Sequence, residues 1–585
     1  MKSWIVIALC AAGVAAGAVS SGDWRSDTQL RAMSDELARS RTLRLNSLDK
    51  PYFIQYTTED TDELSVNASL GGITGSSKTH VRRPNAVVRV GDYAFDNTNT
   101  GAPLRLRFGL FPLDDDYLAM RTLLWRTTDV LYKAANDQIT RKRNAMREIA
   151  DPDKTPDLAS AKAVEMLEPE PKFAVDESRW DDITRQASER FSAYPEITNS
   201  RVRVEMLAST FRLVNSEGTV IRVPEVLNEV EIRAGGRTKD GQRVWNHQFV
   251  TGADTQRMPP AVELNKIADS VAHETQALTQ APLAEDYTGP VLFTGEAAAE
   301  MMAQVLTDAV VLHRKPMAAP GSNEANQQSL ESVWSARLGS TVAPEWLSIY
   351  DDPTAKDFHG ARLAGHYLVD DEGVRAERVN LVEKGKLRGF LLSRTPVRKF
   401  AVSNGHGRIG TGYGATEAVI GNVMVEASQT VPEQQLKKKL IAQVNTAGLK
   451  YGLIVRRLDF PSTASLGELQ SMERQLQRNG YARTLAQPLL AYRVYPDGRE
   501  ELVRGLRFSE FSAKDLRDVE AASDRPYVYN YINTGSSLNI ADLRSEIVPS
   551  SVVCPSLLLE SVELARADNE GDPAPLVPPP ALSKN

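Results

Sequence analysis

Histidine is the residue type best suited to bind a catalytic metal, so the spacing of the histidines decides what they can do together. The seven histidines are His80, His247, His273, His313, His359, His366 and His406. A catalytic zinc ion usually takes three protein ligands, and a helix supplies two of them only when they share one face. No pair forms HExxH or HExxxH, and His273-Glu274 is followed by Ala277 and Leu278 where a second ligand would stand. The sequence therefore offers no ready-made zinc helix.

Two clusters of carboxylates lie near three of these histidines in sequence. Asp351-Asp352 precedes a proline, and residues 370–373 read Asp-Asp-Glu-Gly. Clustered acids bind hard cations or serve as acid and base, whereas an aspartate before Pro or Gly more often caps a turn. A metal site distributed over separate loops stays open as an alternative. Its ligands would be His359, His366 and His406 with Asp351 or Asp352.

A glycine-rich stretch, Gly405 to Gly410, satisfies G-x-G-x-x-G. The following residues, Thr-Gly-Tyr-Gly at 411–414, cannot readily start the helix that would receive a pyrophosphate, so a dinucleotide site is rejected. We expect a flexible loop that lines a cleft, because glycine lets the backbone approach a ligand closely. There is no G-x-S-x-G elbow, and Cys554 has no recognisable nucleophile context.

The composition is that of an ordinary soluble protein. The chain has 585 residues, of which 42% are hydrophobic and 25% charged, with a formal net charge of −7. This length predicts two or three domains with sizeable cores. A mildly acidic chain gives no electrostatic reason to expect a nucleic-acid partner.

The N-terminus is typical of a secretory signal peptide at residues 1–20. One lysine precedes an apolar run from Trp4 to about Ala16, and Ala16 and Ala18 form an Ala-x-Ala arrangement. An uncleaved membrane anchor is the minority alternative, since the run is short. Once the leader is removed, Cys554 is the single cysteine, so no internal disulfide can form. We therefore expect a periplasmic or secreted protein without a stable membrane span.

Hydrophobic periodicity predicts an α+β fold with a mixed N-terminal α/β domain and a strand-rich antiparallel C-terminal domain. We place the domains at residues 21–255 and 256–567, with a proline-rich insertion near 151–176 and a disordered tail at 568–585. The predicted helices lie at 26–48, 114–150, 181–192, 260–281, 294–310 and 432–448. Predicted strands lie at 51–58, 63–72, 86–95, 202–214, 219–236, 244–250, 291–293 and 451–458, with hairpin turns at 215–218, 370–373, 383–386 and 496–498.

A series of short phrases follows the chain in order from about residue 200 to 567. They are NSEGT (215–219), GPVLF (289–293), LSIYDDPT (347–354), DDEG (370–373), VEKGKLRGFLLSR (382–394), SNGHGR (403–408), YGLIV (451–455), DGREELVRG (497–505) and SSVVCPSLLLESVEL (550–564). Each phrase alone is weak, but their order is fairly specific. Together they resemble the TldD/PmbA (TldD/TldE) family, with a looser match in the N-terminal region.

This resemblance implies a two-part protein whose strand-rich C-terminal domain contains the active cleft. The catalytic members of the family are zinc peptidases that trim unfolded or modified peptides, and they pair with a related subunit that lacks the metal. Their strand equivalent to VLF leads into HExxxH. In the best register, Ala303 and Asp308 stand at the positions of the two histidines, and Gln304 stands at the position of the glutamate. A shifted register spares Glu296 and Glu300 but supplies no histidine.

The preferred hypothesis is therefore a metal-free, exported family member of the PmbA/TldE kind. It would hold a peptide or unfolded polypeptide in its cleft and form a homo-oligomer or a hetero-oligomer with a TldD-type subunit. No catalytic or metal-ligating residue and no cofactor is assigned. Zinc is expected only under the alternative, an active metallopeptidase with the distributed site. A structural cell-envelope protein ranks last, because it leaves the SNGHGR segment unexplained.

Overall fold

The computed structural model describes most of the chain between residues 23 and 567. The described ranges are 23–45, 48–100, 109–149, 153–252, 258–312, 314, 317, 332–408, 417–460, 485–533 and 548–567. The predicted signal peptide and the predicted tail lie outside them. Among the described helices, none is long and apolar enough to cross a membrane.

The N-terminal half is built on one twisted sheet. Its strands are β1 (Pro51–Ser69), β2 (Gly72–Val90), β3 (Glu165–Leu167), β4 (Ile197–Asn215), β5 (Val220–Arg237) and β6 (Arg243–Gly252). They lie in the order β2-β1-β4-β5-β3, with β6 also paired to β5. All pairs are antiparallel except β3 with β5.

Four helices cover one face of this sheet. Side chains alternate between the two faces of a strand, so every second residue points towards these helices. The helices are α1 (Thr28–Ser40), α2 (Tyr117–Met146), α3 (Glu177–Glu189) and α4 (Ala261–Gln280). Even-numbered residues of the long strands, such as Tyr56, Leu64 and Val204, are fully buried against them. Odd-numbered residues such as Gln55 and Glu225 contact Asp371 and Arg408 of the C-terminal half.

The C-terminal half contains a larger sheet of β7, β8, β11, β12 and β15–β21. The strands of this half are β7 (Tyr287–Phe293), β8 (Leu347–Asp351), β9 (Asp357–Phe358), β10 (Ala361–Arg362), β11 (Val379–Glu383), β12 (Lys386–Leu387), β13 (Gly407–Arg408), β14 (Glu417–Ala418), β15 (Asn422–Ala427), β16 (Gly452–Leu458), β17 (Pro488–Val494), β18 (Glu500–Val503), β19 (Leu506–Phe508), β20 (Val519–Asn533) and β21 (Val548–Arg566). The large sheet has the order β12-β11-β8-β15-β21-β7-β16-β17-β18, and β19 and β20 pair with β21. It is mainly antiparallel, with parallel pairs at β15–β21 and β7–β16.

Two helices cover opposite faces of the large sheet. Helix α5 (Gly295–Val310) lies in the main core, where its alanines and methionines are buried. Helix α6 (Glu433–Thr446) packs Leu436 and Leu440 on the other face, against β7, β16 and β21. Short 3₁₀ helices occur at Trp24–Ser26, Arg190–Ala193 and Ala513–Asp518.

The two halves meet through buried arginines. Arg394 donates from Nη2 to Glu217 Oε1 at 2.7 Å and to the Ala159 carbonyl at 2.7 Å, while its backbone N–H donates to Glu372. Arg408 donates to Asp371 at 3.1 Å and to Glu225 on β5 at 3.0 Å. Phrases that are far apart in sequence, NSEGT, DDEG, LLSR and HGR, therefore form one hydrogen-bonded group in space.

The predicted fold class is confirmed, and most helices agree with their predicted positions within a few residues. The predicted hairpins at 215–218, 383–386 and 496–498 are also found. The hairpin at 370–373 is reduced to one isolated bridge between Val369 and Arg375. The domain boundaries stay a prediction.

The strands predicted at 51–58 and 63–72 are wrong as separate elements, because residues 51–69 form one 19-residue strand. Residues 59–62, which include Asp60, separate the two predicted strands. In the structure Asp60 accepts hydrogen bonds from Arg82 at 3.0 Å and Gln29 at 2.8 Å. Pairing with both neighbouring strands satisfies the backbone through this stretch, so the chain stays extended.

Arg394→Met tests the contact between the halves. It leaves the Glu217 carboxylate, which is 12% exposed, without its cationic partner. We expect a loss of about 3 kcal/mol in the free energy of unfolding, because a lone buried charge is costly. Chemical denaturation measures it. Arg388→Met is the matched control, since its pair with Glu383 is about half exposed and should change stability by less than about 1 kcal/mol.

Candidate active site

Helix α5 follows β7 directly and is positioned by contacts at its first residue. Thr294 N–H donates to the Val455 carbonyl on β16 at 3.0 Å, and Gly295 N–H donates to Ser556 Oγ on β21 at 2.8 Å. The helix then runs through Ala-rich and Met-rich turns that have high helix propensity and no β-branched run in the first three turns. Its position is therefore fixed by the two strands beside β7.

Two of the three positions that match HExxxH, Ala303 and Gln304, are used for packing, and the side chain of the third, Asp308, lies outside the described residues. Ala303 is 1% exposed and belongs to the main core. Gln304 is bonded at both ends of its amide: Nε2 donates to the Glu300 carbonyl at 3.1 Å, and Oε1 accepts from Ala486 N–H at 2.9 Å. An alanine has no ligand atom, and a neutral amide cannot take a proton from water. This register therefore supports neither zinc binding nor general-base catalysis.

In the shifted register, the acid Glu296 is bound by a buried arginine. Arg457 on β16 donates from Nε and Nη2 to the two carboxylate oxygens of Glu296, at 3.2 and 3.0 Å. From Nη1 it donates to Asn246 at 2.9 Å and Glu274 at 3.2 Å. Burial alone would lower the pKa of Arg457, but the Glu296 and Glu274 carboxylates raise it above its ordinary value. The guanidinium is therefore a permanent positive charge beside helix α5.

Glu300 is the second acid of this helix and is fully buried. Its Oε2 accepts from Leu458 N–H at 2.7 Å, and its Oε1 has no hydrogen bond. Burial and the nearby charge of Glu296 raise the pKa of Glu300 well above its usual range. A carboxyl that keeps its proton is a poor metal ligand and a poor general base.

Electrostatics thus disfavour a divalent cation at this helix. A guanidinium within about 3 Å of the Glu296 oxygens neutralises that acid and would repel a second cation at the same place. Glu296 would have to give up a paired, desolvated arginine before it could ligate a metal, and the lone cation left behind would be costly. The residues present at α5 do not fit a zinc ion.

Sequence reasoning missed Arg457, Asn246 and His247 as residues of this region. His247, on β6, is 1% exposed, and neither ring nitrogen has a hydrogen bond. Burial, together with the charges of Arg457 and Arg233, lowers the pKa of His247, so its ring is neutral. One signal was available: an arginine at the end of the apolar run Gly452–Val455 predicts a buried ion pair, because Arg is rarely buried unpaired.

The histidines of the distributed alternative do not converge. His359 is exposed at a left-handed turn and stacks on Phe358, with ring centroids 4.3 Å apart. His366 is half-buried, with Nδ1 3.1 Å from the Pro353 carbonyl oxygen. His406 is fully buried, and its Nε2 lies 3.5 Å from Asp351 Oδ1. Within the described ranges, no three or more His, Cys, Asp or Glu residues are grouped to hold a metal.

The acidic clusters serve the backbone. Asp351 accepts from the N–H groups of Gly421 and Asn422, both at 2.9 Å. Asp352 caps its own turn by accepting from Thr354 N–H at 3.1 Å. Asp370 accepts from Val374 N–H at 2.8 Å and from Gly407 N–H at 2.9 Å. Asp352 and Asp370 thus cap their own turns, as the neighbouring Pro and Gly residues indicate, whereas Asp351 and the second oxygen of Asp370 hold the backbone of distant segments.

The first residues of the glycine-rich stretch are packed, contrary to the expected flexible loop. Gly405 has φ of 73°, a left-handed conformation that suits glycine. At Gly407 a Cβ atom would lie 2.2 Å from Glu372 Oε2, so no side chain fits. Arg408 is also buried. Residues 409–416, the rest of the stretch, lie outside the described residues.

Residues 284–466 match the family model of the PmbA/TldA metallopeptidase C-terminal domain. Over these residues the chain matches the C-terminal domain of the TldD/PmbA family. This domain includes α5, Arg457 and the capped acidic turns. The resemblance expected from the ordered phrases is confirmed.

Solved structures share the fold of most of the chain. TldE from Thermococcus kodakarensis is 11% identical with a TM-score of 0.56, covering 91% of this chain and 100% of that one. A protein described as a modulator of a DNA gyrase from Thermotoga maritima is 13% identical with a TM-score of 0.55, covering 92% of this chain and 99% of that one. At such low identity the likeness is one of fold.

Curated relatives match over shorter stretches. A metalloprotease of Archaeoglobus fulgidus is 42% identical over 77 residues, 13% of this chain and 17% of its own length. The metalloprotease slr0863 of Synechocystis is 27% identical over 227 residues, 38% of this chain and 42% of its own length. The chain thus spans less than half the length of these relatives.

Glu300→Gln tests the neutral carboxyl on α5. Because the folded-state pKa is raised above the ordinary value of about 4.5, the folded protein binds more protons than the unfolded chain at higher pH. The wild-type protein should therefore lose stability relative to the variant as pH rises above 4.5, by up to about 1.4 kcal/mol per pH unit. Denaturation at pH 5 to 8 measures the difference. A pH-independent difference would mean that Glu300 is ionised in the folded protein.

Glu296→Gln is the matched control on the same helix. This change removes the charge that Arg457 contacts at two oxygens, so it should destabilise the protein across the neutral range. As the pH rises, the Glu300→Gln variant should gain stability relative to the wild-type protein, whereas the Glu296→Gln variant should be less stable than the wild-type protein. The two glutamates lie only one helical turn apart.

Proposed function

We propose that this protein is an exported, metal-free member of the TldD/PmbA family. In this proposal it binds peptide or unfolded polypeptide and acts as a subunit beside a TldD-type metallopeptidase. The relation to metalloproteases supports a place in a peptidase system, and the TldE-like fold supports pairing with a TldD-type subunit.

The observation that carries the proposal is the chemistry of helix α5. A peptidase of this family needs two histidines and a glutamate on this helix, as the resemblance implies. Ala303 is instead packed in the core, and Gln304 accepts a hydrogen bond from Ala486 N–H. Arg457 forms an ion pair with Glu296. Burial raises the pKa of Glu300 well above its usual range. The helix keeps its structural position without the groups that activate water.

Export is supported by the first twenty residues alone. The charged start, the apolar run and the Ala-x-Ala arrangement are features of a cleaved leader. The single cysteine left in the mature chain is compatible with an oxidising compartment, because it has no partner within the chain.

Metal analysis of the purified mature protein tests the proposal. We expect less than about 0.1 zinc per chain after dialysis, and no cleavage of unstructured peptides that EDTA abolishes. A HExxxH-bearing TldD-type enzyme in the same assay is the positive control. Stoichiometric zinc together with EDTA-sensitive cleavage would contradict the proposal and favour the distributed site, whose His366→Ala and His406→Ala variants should then lose both.

Co-purification tests the partner. The tagged, exported protein should recover a TldD-type, HExxxH-bearing chain in a defined stoichiometry from the cell envelope. Recovery of the chain alone from both the envelope and the cytoplasm would contradict the subunit role while leaving peptide binding to be measured separately.

A further inference from the structure

The C-terminal half packs on the face of the N-terminal sheet that is opposite its four helices, along a contact here called the seam. In the apolar part of the seam, Leu213 of β4 and Val369 of the C-terminal half are buried in one cluster. In its polar part, Arg408 donates to Asp371 at 3.1 Å and to Glu225 on β5 at 3.0 Å. One arginine thus lies between a carboxylate of each half.

The polar part of the seam has more acids than cations. Glu59 on β1 is a third carboxylate, two strands from Glu225 with β4 between them. Asp370 lies behind these acids and accepts from the N–H groups of Val374 and Gly407. The cations that act on Glu59 are Arg408 and Arg83, which lies opposite Glu59 on β2. Two guanidinium groups therefore face four carboxyl groups.

Glu59 is the acid of this group that no arginine binds directly. Among the described residues it forms no ion pair, since Nε and Nη2 of Arg408 bind Asp371 and Glu225. The ring of Tyr367 covers the same guanidinium, with its centroid 4.5 Å from the central carbon. A carboxyl that is partly buried near other carboxylates favours its protonated form. Burial, with the charges of Glu225 and Asp371, raises the pKa of Glu59 to about 7.

We propose that the seam is a pH-sensitive contact that closes when Glu59 binds a proton and loosens when Glu59 is ionised. In the ionised form, Glu59 and Glu225 on the N-terminal sheet both face Asp371 across the boundary between the halves, with one arginine between them. Like charges repel strongly where water is partly excluded. The proton removes one of the three negative charges.

The direction of the effect follows from the raised pKa of Glu59. A glutamate that opening exposes to water titrates near 4.5. The closed seam is therefore most stable below that pH, and it loses stability as the pH rises to about 7. Burial also raises the pKa of Glu225, so this acid acts in the same direction.

We expect the seam to open locally and the halves to stay joined. Arg457 connects them elsewhere by donating to Asn246 and Glu274. The residues of the seam do not belong to helix α5, so the inference does not rest on the proposed function. In an exported chain, the pH of the surroundings would set how firmly the C-terminal half is held at this end of the N-terminal sheet.

Thiol labelling of the mature chain tests the proposal. Val369→Cys places a thiol in the apolar part of the seam, where the native side chain is 5% exposed. Its rate of reaction with dithiodipyridine is measured from pH 5 to 8 by peptide mass spectrometry. Dividing this rate by that of an exposed reference, Lys438→Cys on α6, removes the pH dependence of the thiol itself. The native Cys554 is fully buried in the main core and reports global unfolding.

The relative labelling rate at Val369→Cys should rise at least about tenfold between pH 5 and 8. Adding Glu59→Gln, which keeps the shape of the protonated carboxyl, should hold the rate low and remove most of this rise. The matched control is Glu165→Gln on β3, an exposed acid of the same sheet, which should leave the rise unchanged.

Three results would overturn the proposal. The first is a relative rate that does not change with pH while Glu59 is present. The second is the same rise with and without Glu59→Gln. The third is labelling of Cys554 in parallel with Val369→Cys, because the whole fold and not the seam would then be opening.

Discussion

The guanidinium of Arg457 is the interaction on which the region around helix α5 depends. A buried cation is stable only when carboxylates and carbonyl-type acceptors surround it. Glu296 on α5, Glu274 on α4 and Asn246 on β6 supply these acceptors. The Arg457 side chain therefore joins the C-terminal domain to the N-terminal half. It also binds Glu296, the acid that a metal ion at this helix would need as a ligand.

The same principle operates where the halves meet farther along the chain. Arg394 binds Glu217 in the turn between β4 and β5, and Arg408 binds Glu225 on β5. Residues of the 370–373 turn contact both arginines. Four of the phrases that indicate the family in the sequence, NSEGT, DDEG, LLSR and HGR, are thus parts of one polar interface. Their chemistry is largely structural, which explains why acidic clusters that looked suited to metal binding instead cap turns and hold arginines.

Local patterns predicted the helices and the tight hairpins, since capping residues and turn formers act within a few positions. Asp116, for example, caps α2 within three residues of the predicted helix start at 114. The cap of α3, Asp176, lies five residues before the predicted start at 181. Features set by distant neighbours were not predictable. The continuity of β1 through Asp60 depends on Arg82 of the next strand, and the packing of Gly407 depends on Glu372. Likewise, the sequence indicated that α5 lacks zinc ligands, but it did not indicate that Arg457 binds Glu296 on the same helix.

The function proposed for this chain therefore rests on what helix α5 does with its polar residues. Helix α5 lies next to strands β7 and β16, where Glu296 forms an ion pair with Arg457 and burial raises the pKa of Glu300. The most direct measurement is anomalous diffraction at the zinc edge from crystals of the mature protein grown with zinc. The account predicts no anomalous peak within reach of Glu296, Glu300 and Gln304, with Arg457 still bound to Glu296. A peak coordinated by either glutamate, with the arginine displaced, would contradict it.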